Sequence, residues 1–131
     1  MSIDPTAFTR RWIAAWNRRD IEAVLALYAE TATIVTPQAE DIIGRAEARG
    51  KTALRQYWSA TLAQIGTLVF TYEQAAWDPL QRLLTMRYVA TVDGISRRAA
   101  EIATINADGL IRHSDALYGA FIVEDASTAD A

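Results

Sequence analysis

Residues 80–122 read LQRLLTMRYVATVDGISRRAAEIATINADGLIRHSDALYGAFI. Three apolar-rich runs, Leu80–Val92, Ile95–Asn106 and Leu110–Ile122, are divided by Asp93-Gly94 and Asp108-Gly109. A tight hairpin turn needs positive φ at its centre, which an Asp-Gly pair supplies. The stretch therefore predicts a long antiparallel meander. Each run exceeds the usual strand of about five or six residues. Long strands twist and coil, so the sheet is expected to curve round a cavity.

Upstream, the pattern turns helical. Asp4-Pro5 is a helix start, with Asp as N-cap and Pro at the first helical position. Phe8, Trp12 and Trp16 then give that helix an aromatic face. Asp20 caps a second helix whose buried face is Ile21, Val24, Leu25 and Tyr28. Thr31–Thr36 is β-branched and reads as a short strand ended by Pro37. Residues 37–50 are polar and irregular, and 38–50 are expected to form a rim or lid. A third helix runs from Thr52 to about Ile65, with Leu54, Tyr57, Trp58, Thr61, Leu62 and Ile65 on one face and Gly66 at its end. Leu68–Trp77 is the first long strand. Helices first and strands after them mean α+β rather than α/β. Residues 1–123 read as a single domain and 124–131 as a flexible C-terminal tail.

Composition narrows the function classes. The chain has 131 residues, 51% hydrophobic and 22% charged, with net charge −3, which is ordinary for a globular protein. The paired arginines Arg10-Arg11, Arg18-Arg19 and Arg97-Arg98 are scattered, and read as solvated faces or ion-pair partners rather than a nucleic-acid surface. No cysteine and one histidine leave no thiol nucleophile and no plausible metal cluster. No Gly-rich phosphate loop is present, so no cofactor is expected. No run reaches the roughly 20 apolar residues of a membrane span. The start is unlike a signal peptide, and the protein is read as cytoplasmic. Along Leu83–Val92, Leu84, Met86, Tyr88, Ala90 and Val92 form a more apolar face than the alternate residues. With apolar groups on both faces, the second face is expected to be covered by a homodimer partner.

The order helix–helix–strand–helix–meander resembles the nuclear transport factor 2-like superfamily, the cone-shaped α+β fold, within its SnoaL-like and ketosteroid-isomerase branches. The residues that carry the likeness are Trp16-Asn17 with Asp20, Leu25-Ala26-Leu27-Tyr28-Ala29, and Ala32-Thr33-Ile34-Val35-Thr36-Pro37. Gly50 with Leu54-Arg55-Gln56-Tyr57-Trp58, Ala107-Asp108-Gly109-Leu110-Ile111 and Ala116-Leu117-Tyr118-Gly119 add to it. The resemblance implies three N-terminal helices packed on a curved, mostly antiparallel sheet with an internal pocket. It places the ketosteroid-isomerase tyrosine on Trp12, the base on Thr36 and the protonated aspartate on Glu101. Thr36 cannot take a proton at neutral pH, so that isomerisation is expected to be lost.

The same register puts Leu83, Thr85, Arg87 and Val89 on the pocket face, beside Glu101, Ala103, Ser114, Ala116 and Tyr118. Arg87 and Glu101 are then expected to pair inside the cone, keeping Glu101 ionised. The arginine resembles that of limonene-epoxide-hydrolase-like relatives, whose activating aspartate falls on Val89, so epoxide opening by that route is not expected. His113-Ser114-Asp115 is open to two registers. One turns His113 and Asp115 into the pocket, with Asp115 as reserve acid/base. The other, set by Ala116-Leu117-Tyr118-Gly119, turns them outward and is preferred. Trp12, Trp16, Thr36, Tyr57 and Tyr118 are expected to line the cavity, while Tyr28 and Trp58 are read as core.

Two functional readings follow. One is a cavity for a small apolar or polycyclic ligand, with cofactor-independent isomerase, cyclase or hydrolase chemistry centred on Arg87, Glu101 and Asp115. The other is a non-catalytic binding or dimerisation module.

Overall fold

The computed structural model describes residues 3–123. Helix α1 (Pro5–Asn17) starts where Asp4 accepts a 3.0 Å bond from Ala7 N, with Pro5 as its first residue. Asp20 caps α2 (Ile21–Leu25) in the same way, through Ala23 N at 3.1 Å. The chain leaves this short helix earlier than its apolar spacing suggests. Tyr28 opens strand β1 (Tyr28–Val35) instead of closing the helix.

Residues 37–50 are more ordered than their polarity implies. They hold a fourth helix, α3 (Pro37–Ile43), and a short strand, β2 (Glu47–Arg49). The signals are local: Thr36 Oγ1 accepts from Gln38 N, Pro37 takes the first helical position, and Gly44 stops the helix at φ 79°. Helix α4 (Gly50–Ala63) buries Leu54, Tyr57, Trp58 and Leu62. The meander follows as β3 (Leu68–Asp78), β4 (Leu83–Val92), β5 (Ile95–Ile105) and β6 (Ile111–Ile122).

The six strands form one sheet in the order β2-β1-β6-β5-β4-β3. Only β1 and β6 run parallel; the other neighbours are antiparallel. Asp93 and Gly94 take φ 51° and 82° at the β4–β5 turn, the left-handed pair such a turn requires. Helices α1 and α4 lie on the inner face. There Trp12 meets Trp16, Phe70 and Tyr88, and Trp16 and Tyr28 each meet Trp58, mostly edge to face. These contacts bury the largest side chains of the core.

Candidate functional site

The concave face of the sheet and helices α1, α3 and α4 enclose a cavity of about 290 Å³. Register decides what reaches it. On β4, Leu84, Met86, Tyr88 and Ala90 are buried toward the core, while Arg87 is exposed. Met86 stands opposite Glu101, and Arg87 stands opposite Ala100. The expected pocket-face set Leu83, Thr85, Arg87 and Val89 therefore lies on the outer face. The Arg87–Glu101 pair does not form. Arg87 Nη1 instead donates to Gln74 Oε1 at 3.1 Å across the outer side of β3. A one-residue offset in the borrowed register exchanged the two faces.

Glu101, Ala103, Ser114 and Ala116 do point inward, and Tyr118 reaches the cavity wall. Of these, Glu101, Ala116 and Tyr118 line the cavity with Trp12, Trp16, Thr36 and Tyr57. Ala103 and Ser114 are buried behind that lining. His113 and Asp115 lie outward, joined by a 3.2 Å contact between Nε2 and Oδ2, and neither lines the cavity.

Glu101 is 6% exposed. Burial, countered in part by Ser114, pushes its carboxyl up to about 7. Ser114 Oγ donates to Glu101 Oε2 at 2.8 Å. Among the described residues no cation pairs with Glu101, so the expected ionised carboxylate is replaced by one that titrates near neutrality. Trp12 Nε1 donates to Tyr28 Oη at 3.0 Å, and Ser114 is also a hydroxyl neighbour of Tyr28. A polar thread thus runs from Trp12 through Tyr28 and Ser114 to Glu101. Burial also raises the hydroxyls of Tyr28, Tyr57, Tyr88 and Tyr118, with the Glu101 charge adding to each, so all four stay neutral donors. Thr36 is the polar neighbour of both Tyr57 and Tyr118.

At the apolar end, toward Leu62, Leu68 and Phe70, the Trp16 indole is fixed against Trp58 at 5.1 Å and Phe70 at 6.0 Å. Its Nε1–H is buried with no partner among the described residues. Several lining residues fell outside the sequence reading of the site, Tyr28, Trp58, Tyr88 and Arg97 among them. Tyr28 was read as core. Tyr88 sits on the apolar face of β4. Arg97 was read as solvated but lines the cavity, two inward positions along β5 from Glu101. No group of three or more His, Asp or Glu side chains among the described residues is placed to hold a metal, and no helix is long and apolar enough to cross a membrane.

The family model for the SnoaL-like domain matches residues 9–114. The chain belongs to that family, within the nuclear transport factor 2-like superfamily. A SnoaL-like protein of unknown function from Burkholderia thailandensis is 27% identical. Its TM-score is 0.79, with 91% of this chain and 100% of that one covered. TerC, co-crystallised with polyporic acid, is 13% identical with TM-score 0.74 over 88% of this chain and 91% of that one. A computationally designed 17-OHP binder is 20% identical with TM-score 0.71 over 94% and 100%. Among curated proteins none matches.

Proposed function

We propose that the chain binds a flat, apolar small molecule in this cavity and that Glu101 moves a proton on it. The observation that carries this reading is the buried carboxyl titrating at about 7 with no cation beside it among the described residues. Burying such a group is costly, and a group poised in this way in a cleft is a candidate acid/base. Near neutral pH both of its forms are populated, so one residue can take up a proton and return it. The neutral hydroxyls of Tyr57 and Tyr118 would donate to a substrate oxygen as charge develops there. The Trp16 N–H, without a partner among the described residues, supports a ligand with at least one acceptor oxygen. Isomerisation or cyclisation by proton transfer fits these groups without a cofactor. Polyporic acid and 17-OHP, named for two fold neighbours, support small organic ligands as a class.

The test is turnover. A panel of steroids, polycyclic aromatics and terpenoids is first screened by tryptophan quenching. Compounds that bind are then assayed for conversion by the parent and by Glu101→Gln. The expected result is a rate that changes with an apparent pKa near 7 and falls by about 10²–10⁴-fold in the variant, with binding retained. Equal rates in parent and variant would sink the assignment. Binding without turnover is the second reading. It is favoured by the Trp12, Phe70 and Tyr88 rings, which pack against one another in the cavity wall.

The outer sheet face is proposed as a homodimer contact. Leu117 and Val69 are half exposed there, and the half-buried Val89 and Ile102 lie on the same side.

A further inference from the structure

Strand β5 presents Arg97, Ala99, Glu101 and Ala103 at alternate positions. Glu101 sits in the buried part of the cavity and Arg97 toward the end of the strand where the wall is half exposed. Four residue steps along the strand separate the two by about 13 Å. Ala99 lies between them, with Tyr88 on β4 and Tyr118 on β6 at its sides; Arg97 has Ala90 and Phe121 as its cross-strand neighbours, and Glu101 has Met86 and Ala116. The inner sheet surface is thus an apolar track with a carboxyl at one end and a guanidinium at the other.

The state of the guanidinium is informative. It lies over the Tyr118 ring at 4.8 Å and the Phe121 ring at 4.5 Å. Its Nε and Nη2 share the Gly119 carbonyl at 3.3 and 3.1 Å. Arg49, Arg55 and Arg98 each have a carboxylate partner; Arg97 has none among the described residues. The two rings and one carbonyl fix the planar group while leaving Nη1 unbonded among the described residues. A fork held in this way is suited to a carboxylate or similar planar anion, because less side-chain entropy is lost on binding. Asp41, on α3, is the other charged group of the rim. It is exposed and unpaired to Arg97, so it disfavours an anion on its own side and leaves Arg97 as the positive pole.

We infer that Arg97 anchors an anionic group of the ligand, and that the ligand is an amphiphilic acid. Its rigid apolar skeleton lies along Ala99 between the Tyr88 and Tyr118 rings, its carboxylate meets Arg97, and its far end reaches Glu101. This rests on the cavity being the ligand site proposed above.

The experiment compares pyrene-1-butanoic acid with its neutral primary amide by tryptophan-fluorescence titration, using the parent, Arg97→Gln and Arg97→Lys. The acid is expected to bind the parent about tenfold tighter than the amide. Arg97→Gln is expected to remove that preference, so that acid and amide bind alike, and saturable amide binding by the variant also reports that it folds. Arg97→Lys is expected to restore part of it. Equal binding of acid and amide to the parent overturns the anchor and leaves the cavity reading standing. A preference for the acid that persists undiminished in Arg97→Gln overturns it as well. Binding of neither probe overturns both.

Discussion

Ser114 Oγ donates a 2.8 Å hydrogen bond to Glu101 Oε2 across the β5–β6 pair. The donor is neutral and fully buried, and it works against desolvation by favouring the charged form of the carboxyl. Ser114→Ala removes that bond without adding a charge. The Glu101 pKa is then expected to climb further above about 7. A carbon-13 NMR titration of the glutamate side chains reads it directly. An unchanged or lower value would mean that Ser114 does not tune the group.

The same carboxyl makes stability depend on pH. Its folded pKa of about 7 lies above the ordinary 4.5, so the folded state holds the proton more tightly than the unfolded state. The stabilisation is complete below about pH 4.5, declines as pH rises through the window up to 7, and is gone above it. At about 1.4 kcal/mol per pKa unit this amounts to roughly 3 kcal/mol. Glu101→Gln is expected to abolish that contribution to the slope. Urea midpoints for parent and variant at about pH 5 and 8 check it, and parallel pH profiles would contradict it.

Tyr28→Phe deletes the acceptor of the Trp12 N–H deep in the core. A buried donor left alone costs about 1–3 kcal/mol. Denaturation of Tyr28→Phe, Trp12→Phe and the double variant forms a cycle. The two losses are expected to fall short of additive in the double variant; strict additivity would show that the bond contributes nothing.

Trp16→Phe offers the contrast, because its N–H has no partner to lose among the described residues. Folding stability is expected to fall only by the cost of the smaller ring, roughly 1–3 kcal/mol, while an oxygen-bearing ligand binds about five- to tenfold more weakly. Calorimetric titration beside thermal melting separates the two effects. Undiminished affinity would place the acceptor elsewhere.

Leu117→Lys puts a charge in the middle of the proposed dimer face, where Leu117 is 52% exposed. Sedimentation velocity is expected to show a dimeric parent and a monomeric variant. A monomeric parent at micromolar concentration would end that proposal.

The meander was legible because its turns are chemically explicit: Asp93-Gly94 and the Gly109 turn adopt the left-handed backbone that their residues favour. The inner face of β4 was legible as well. The alternation of Leu84, Met86, Tyr88 and Ala90 marks it, and the misplacement of Arg87 came from a family register that overrode the pattern. Arg97 was hidden by its neighbour Arg98, although counting in twos from Glu101 reaches it. Tyr28 was hidden for a different reason. Its spacing from Ile21, Val24 and Leu25 is helical, and what draws it into β1 is pairing with Ile111 on β6, a partner that local sequence cannot announce. Helix α3 was missed because its evidence is in its ends, Thr36-Pro37 and Gly44, rather than in an apolar stripe.

The parallel seam between β1 and β6 also governs how the molecule can be made. Thr33 pairs with His113, and Leu27 O accepts from Ile111 N at 2.9 Å, so the first strand waits for the last. During synthesis β1 has only the short β2 beside it. Its other edge stays open until residues 111–122 leave the ribosome. Such non-local pairing slows folding and leaves an unpaired strand edge exposed meanwhile. The half-made chain is therefore where this protein is most vulnerable to aggregation, and a nascent chain cut before β6 is the species a chaperone would be expected to hold.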